Sequence, residues 1–269
     1  MRSADIRIAT GPRLHYIEYG DAGGEVIVFL HGWPDSWYSF SRVAEQIPER
    51  YRLLLIDQRG YGDSERPDGG YGIRSMAADV AAFLDALSIE RATIVGHSFG
   101  SFVARRVALD HPARVDRLVL IGTGWAGSND VLRDVHASLH DLSDPVSRAF
   151  ARDFQASTAF APLPEAFFEQ IVSESQKLPS RLWPELLGSV IKYDDRNELA
   201  RLAVPTLLLW GDRDALFPRE DQDRLVATIP RVRLRIYPEI GHCPNWECPK
   251  EVATDLVAFR EEPPNHVAF

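Results

Sequence analysis

Cysteine is nearly absent: the 269 residues hold two, Cys243 and Cys248. Two cysteines cannot build a disulfide framework, and C-x-x-x-x-C lacks the spacing of a redox pair. Hydrophobic runs are short. None reaches the roughly 20 residues that a membrane-spanning helix needs, and the N-terminal MRSADIRIATG lacks the apolar stretch of a signal peptide. Basic clusters are missing as well. The formal charge is −9, with the cations interspersed among Asp and Glu, so neither a nucleic-acid groove nor an anionic membrane patch is expected. GYGDSE has G-x-G without the third glycine of a dinucleotide loop. HASLH places His136 and His140 on one helical face, but it lacks a metalloprotease glutamate and a third ligand. These absences lead to the expectation of a cytoplasmic protein with no metal or cofactor and no nucleic-acid or membrane partner.

What is present is enough apolar residue, 45%, to bury a large core in one domain or a core with an insertion. The first half repeats a pattern in which apolar runs end in glycine-bearing loops and helical segments follow. VIVFL, RLLLI, ATIVG and LVLIG read as fully buried strands. Helices are expected over 36–46, 73–87 and 98–109, the second carrying Met76, Val80, Phe83, Leu84 and Leu87 at helical spacing. Continuous Val/Ile/Leu strands alternating with helices imply a mostly parallel sheet covered on both faces. RLHYIEYG reads as an outer antiparallel strand. The rhythm breaks at Trp125. From 125 to 197 no convincing strand occurs, and helices are expected over 130–142, 149–154, 165–177 and 181–192, punctuated by prolines. TLLLWG then restores the strand pattern, VRLRIY follows, and a last helix is expected over 247–259. The tail EEPPNHVAF is expected to be loosely held. The chain therefore divides into an α/β core, 1–124 and 198–269, and a helical insertion, 125–197.

GHSFG, Gly96 to Gly100, lies where a strand changes to a helix. A sharp turn there strains the middle residue, and small neighbours let the chain pass close to adjacent elements. Ser98 is thereby lifted above the carboxyl end of the sheet, with the next backbone N–H placed to stabilise an oxyanion. The alternative is a structural turn whose serine caps the helix. A base is offered by IGHCPNWE, which puts His242 in the loop after the last expected strand. A carboxylate must orient it. LWGDRDALFP supplies Asp214, far enough past its strand to turn toward His242, and Asp212, which could instead fix the turn or pair with Arg213. HGWPDS supplies the second oxyanion donor through Trp33 N–H, beside the Phe99 N–H. His31 is expected to organise this loop by side-chain hydrogen bonds. Cys243 reads as a packing residue, since Ser98 has the better nucleophile context.

On these motifs the sequence resembles the α/β-hydrolase superfamily over its full pattern, from about Leu14 to Phe259. HGWPDS is similar to the oxyanion loop, GHSFG to the nucleophile elbow, GDRD to the acid turn and GHCP to the histidine loop; DQRGYGDS occupies the loop between. The resemblance implies a mostly parallel eight-stranded sheet flanked by helices, with 125–197 as a helical cap over the site. It implies a catalytic Ser98, His242 and Asp214, with Trp33 and Phe99 as oxyanion donors. Family members acting on epoxides or haloalkanes carry aspartate at the nucleophile position; serine fits acyl transfer. The expected activity is hydrolysis of a small, largely apolar carboxylic ester or lactone, by a monomer or homodimer. Alternatives are a cofactor-free perhydrolase or haloperoxidase, a C–C bond hydrolase, and a small-molecule receptor with slow turnover. Trp37, Trp125, Trp183 and Phe217 are expected to line the substrate pocket. Arg105 and Arg106 are expected on the outer side of the helix that follows Ser98.

Overall fold

The apolar runs become strands because each is buried on both faces. The structure, a computed structural model, describes residues 1–263; most of the expected loose tail, 264–269, lies outside the described residues. Among the described residues one sheet is built from β1 (Arg2–Arg7), β2 (Arg13–Gly20), β3 (Glu25–Leu30), β4 (Tyr51–Ile56), β5 (Ala92–His97), β6 (Val115–Ile121), β7 (Thr206–Gly211) and β8 (Val232–Tyr237). The helices are α1 (Ser41–Ala44), α2 (Ile73–Ala86), α3 (Phe99–Asp110), α4 (Asp130–Ala137), α5 (Arg148–Thr158), α6 (Glu165–Ser175), α7 (Leu182–Ile191), α8 (Arg219–Thr228), α9 (Pro244–Glu247) and α10 (Pro249–Glu261). The strand order is β1-β2-β4-β3-β5-β6-β7-β8. The pairs from β4/β3 through β7/β8 are parallel, and the pairs that β2 makes with β1 and β4 are antiparallel. None of the described helices is long and apolar enough to cross a membrane.

The pleat sends alternate side chains to opposite faces. Ile27, Phe29, Leu53, Leu55 and Val95 join one apolar cluster with Val43 of α1 and Val252, Leu256 and Phe259 of α10. Val28, Leu30, Leu54, Ile56 and Ile94 join the other, with Met76, Val80 and Phe83 of α2 and Val103 and Val107 of α3. Each such fully buried side chain stabilises the fold by about 1.5–3 kcal/mol before entropy is counted.

Several boundaries differ from the sequence reading, each for a local reason. RLHYIEYG is not outermost, because Arg2–Arg7 pairs along it as β1. Only Ala4 and Ile6 of β1 pack on the core, too weak an alternation to announce a strand. The stretch 36–46 splits into a 3-10 turn, Trp37–Phe40, and α1; the Ser36 side chain accepts from Tyr38 N–H at the turn's start. α4 stops at Ala137, where the Ser138 hydroxyl donates to the Val135 carbonyl at 2.7 Å and competes with further helix. α5 continues past Phe154 to Thr158, with Gln155 and Thr158 buried. The last helix begins at Pro249, after the short α9.

One correction bears on the insertion. Arg105 and Arg106 are not on an outer face; both are buried, at 0% and 1% exposure. Arg105 Nε meets Asp195 Oδ2 at 3.0 Å, and its Nη1 donates to the Gly124 carbonyl at 2.7 Å. Arg106 reaches Glu198 at 2.9 Å and also pairs with Asp110. Both ends of the segment between β6 and β7 fold back over α3, and α7 packs on α3. The sequence register of α3 cannot reveal carboxylates that arrive from about 90 residues away.

Candidate active site

Ser98 stands between the end of β5 and the start of α3 with φ +49° and ψ −117°. This is a backbone conformation that an L-residue holds only when its surroundings impose it. The neighbours supply the constraint. A Cβ on Gly96 would lie 2.3 Å from the Gly100 carbonyl oxygen, and one on Gly100 would lie 2.2 Å from the Leu30 carbonyl oxygen. Ser98 N–H donates to the Ile121 carbonyl at 2.9 Å, and the Ser98 carbonyl accepts from Ser101 N–H at 2.8 Å. The Ser98 side chain makes no capping hydrogen bond to α3, so the structural-cap alternative fails. It lines a cavity instead.

His242 reaches the same cavity from the loop after β8. Its backbone N–H donates to the Thr158 carbonyl at 3.0 Å. Its Nδ1 lies 2.9 Å from Asp214 Oδ2. A carboxylate can only accept, so Nδ1 carries the proton and Nε2 presents a lone pair. Nε2 is buried and has no hydrogen-bond partner in the protein. Asp214 is itself held: its Oδ1 accepts from Leu216 N–H at 2.8 Å and Phe217 N–H at 3.0 Å. Asp212 does different work. Its Oδ1 accepts from Glu239 N–H at 2.7 Å and lies 3.8 Å from Arg213 Nε, which fixes the turn.

Phe99 occupies the first position of α3, where a helix offers its N–H no internal acceptor. Trp33 lines the cavity beside Ser98. The loop that carries it comes close only because residue 32 is glycine: a Cβ there would lie 3.2 Å from Ser98 Cβ and 2.9 Å from His97 Nδ1. His31 uses both ring nitrogens within this loop. Nδ1 donates to the Gly32 carbonyl at 2.8 Å, and Nε2 accepts from Gln58 N–H at 3.2 Å. Burial pushes its pKa down to about 4, which keeps this arrangement neutral. Cys243 is buried, its Sγ 3.4 Å from Thr158 Oγ1. Burial raises the thiol well above its usual range, opposite to what thiolate chemistry requires.

The cavity volume is about 30 Å³, on a measure where one water takes about 10–15 Å³. Its walls differ. Phe102, Leu132, Leu187, Val190, Leu216 and Phe217 are apolar, whereas Asp35, His97, Gln155 and Thr158 bring polar atoms. Among the described lining residues none is Lys or Arg. Of the four expected pocket aromatics the structure brings only Phe217 to the lining. Trp183 is fully buried one layer behind, edge-on to Trp33 at 5.2 Å and to Phe150 at 5.8 Å. Trp37 packs with the cluster under α10. Trp125 lies at the root of the insertion, its backbone N–H donating to Asp221 Oδ2 at 3.0 Å. Loop position alone could not separate lining from backing residues. Sequence reasoning missed Asp35, although it lies within HGWPDS, and it missed His97, Gln155 and Thr158. Their signal is a polar residue at a site that turns out to be buried, which only the fold discloses.

Among the described residues, His15, Asp57 and Asp63 form the one cluster spaced for a metal ion. Its atoms have partners: His15 Nδ1 meets Asp57 Oδ2 at 2.9 Å, Asp57 Oδ1 accepts from Trp37 N–H at 2.7 Å, and Lys177 binds Asp63 at 2.9 Å. The cluster ties the DQRGYGDS loop together.

The family model for the alpha/beta hydrolase fold matches residues 25–249. The chain belongs to that family. Within the α/β hydrolases it is 30% identical over 272 residues to a 2-hydroxy-6-oxononadienedioate/2-hydroxy-6-oxononatrienedioate hydrolase of Paraburkholderia xenovorans, covering 94% of this chain and 93% of the other. Among solved structures it resembles an esterase from Exiguobacterium antarcticum, with TM-score 0.88, 23% identity, and coverage of 97% of this chain and 100% of that one. It also resembles the enol-lactonase from Burkholderia xenovorans, with TM-score 0.85, 22% identity, and coverage of 96% and 100%. At such identities the likeness to these α/β hydrolases is one of fold.

Proposed function

We propose that the protein is a serine hydrolase that cleaves a small, largely apolar and uncharged carboxylic ester or lactone. The observation that carries this reading is His242, tethered through Nδ1 to Asp214 with Nε2 unpartnered, in one cavity with a strained, uncapped Ser98. His242 Nε2 takes the Ser98 proton as Oγ attacks the carbonyl carbon. The tetrahedral oxyanion is held by the Phe99 and Trp33 backbone N–H groups. Asp214 stabilises the imidazolium that forms. As the C–O bond breaks, His242 protonates the leaving alkoxide and leaves an acyl-Ser98. Water, deprotonated by the same histidine, then attacks the acyl carbonyl and releases the acid with Ser98 restored. With a lactone, acid and alcohol leave as one ring-opened hydroxy acid. Residues 125–197 act as a cap over this site, since they supply Leu132, Phe154, Gln155, Thr158, Leu187 and Val190 to the cavity.

The relative from Paraburkholderia favours a second reading, C–C bond hydrolysis. The substrates in that relative's name are dicarboxylates. Among the described lining residues there is no Lys or Arg, and Asp35 is one of them, which argues for an uncharged substrate instead. The test is turnover of p-nitrophenyl acetate by the native protein and by Ser98→Ala, at equal concentration and with folding checked by circular dichroism. Serine-dependent turnover is the expected result; equal rates in both samples would exclude acyl transfer at Ser98.

A further inference from the structure

The polar wall of the cavity contains a mismatch that the proposed chemistry does not use. Asp35 and His97 both line the cavity and are each 2% exposed. Trp246 Nε1 donates to Ser39 Oγ at 2.9 Å, and Asn245 Nδ2 donates to it at 3.1 Å. The single Ser39 hydroxyl proton is therefore free to go to Asp35 Oδ2, at 3.1 Å. On the other side Gln155 Nε2 spends its two protons on Asp35 Oδ1, at 2.8 Å, and Ser175 Oγ, at 2.7 Å. The carboxylate thus keeps acceptor capacity that these protein donors do not fill.

His97 faces it with the wrong complement. Its Nε2 lies 3.1 Å from the His242 carbonyl, which can only accept, so Nε2 carries the ring proton. Nδ1 then holds a lone pair. That atom is buried and unpartnered, 4.0 Å from Asp35 Oδ2. Burial and the nearby His242 hold His97 well below its usual pKa, so the ring does not protonate to resolve the conflict. Two acceptors therefore face one another at a separation too long for a direct hydrogen bond, inside a low-dielectric pocket where an unmet polar atom is costly.

We propose that Asp35 Oδ2 and His97 Nδ1 form a subsite that selects substrates bearing a hydrogen-bond donor, an O–H or N–H group, apart from the scissile carbonyl. This rests on the ester-hydrolase reading of the same cavity. The donor group lies against the two acceptors, an O–H giving its one proton to either of them and an N–H₂ one to each, while the rest of the substrate packs on the Phe102, Leu187 and Phe217 wall. O-methylation of a hydroxyl removes the proton and leaves two acceptors opposing an ether oxygen, so such a compound is rejected.

The experiment compares aliphatic esters carrying a hydroxyl at successive distances from the carbonyl with their methoxy and unsubstituted counterparts. The native protein is expected to favour one hydroxy ester over its methoxy analogue by about 10- to 100-fold in kcat/KM, the range of one hydrogen bond to a charged or buried acceptor. In Asp35→Asn the charged acceptor is lost and an amide N–H₂, which can only donate, stands in the place of Oδ2, so the preference is expected to fall below about threefold. A native protein that treats every hydroxy and methoxy pair alike would overturn the subsite, whether or not the variant folds. Calorimetric binding of the matching hydroxy and methoxy ketones, which lack a leaving group, reads the same preference without turnover. Donor-selective ketone binding with no ester hydrolysis would retain the subsite and refute the hydrolase reading; hydrolysis without donor selectivity in either format would do the reverse.

Discussion

The loops at the carboxyl ends of the strands and the helical segment between β6 and β7 hold their cavity residues in different ways. On the sheet side backbone hydrogen bonds anchor each group within a few residues of a strand end. Ser98 N–H reaches Ile121, Gly122 N–H reaches Leu209 and Asp214 N–H reaches Gly211, all at 2.9–3.1 Å. On the helical side aromatic edges do the holding, as with Trp33 against Phe154 at 4.8 Å and Trp183 against Phe154 at 6.2 Å. The ion pair of Arg152 with Glu165 there is exposed and contributes about 0–1 kcal/mol. Position fixed by backbone suits bond making, which tolerates little displacement. Position fixed by side-chain packing can be altered without unmaking the sheet, so the helical side is where substrate choice can vary.

Six substitutions break or sharpen this contrast. Ser98→Ala should lower ester turnover by at least about 10³-fold with little change in thermal midpoint, as measured with p-nitrophenyl acetate and by circular dichroism. Asp214→Asn keeps an acceptor for Leu216 and Phe217 N–H but turns a donor toward His242 Nδ1. That favours the wrong tautomer, and kcat should fall by about 10²–10⁴-fold while KM changes little. Retained kcat in this variant would refute the role of Asp214.

Arg105→Leu tests the junction between the two regions. It leaves Asp195 buried and the Gly124 carbonyl without its arginine donor, so a loss of about 3–5 kcal/mol is expected in urea unfolding. Arg105→Leu combined with Asp195→Leu should recover much of that loss, because the stranded charge is gone.

Asp35→Asn probes the polar wall through pH. Burial raises the Asp35 pKa to about 6 from 3.8, against the hydrogen bonds from Gln155 and Ser39. A raised folded-state pKa means that the stability from this group is fully present below pH 3.8 and is lost as pH rises through 6. The asparagine variant does not titrate. Its stability relative to wild type should therefore increase between pH 4 and pH 7, by roughly 3 kcal/mol at most, read from thermal midpoints across that range. A difference independent of pH would show that Asp35 is ionised normally. The smallest effect is expected from Leu187→Ala on the helical side. Enlarging the apolar wall should shift kcat/KM toward longer acyl chains by about tenfold, with acetate hydrolysis nearly unchanged.

The sequence by itself determined the strands from β2 to β8, the strand-to-helix turn at Ser98 and the loops bearing His31, Asp214 and His242. Those features depend on local composition: apolar runs of strand length, glycines where backbones touch, and turn residues at fixed offsets. Tertiary structure alone decided what faces the cavity. Trp183 and Phe217 both lie near the site in sequence terms, yet Trp183 of α7 backs the wall against Trp33 and Phe150, whereas Phe217, in the loop after β7, forms it. The same holds for Arg105, buried by an aspartate far along the chain. It holds for Asp35 and His97, whose opposed acceptors exist only where the β3 loop, the end of β5 and α5 meet. Local sequence specifies conformation, but burial and pairing depend on segments brought together by the whole fold.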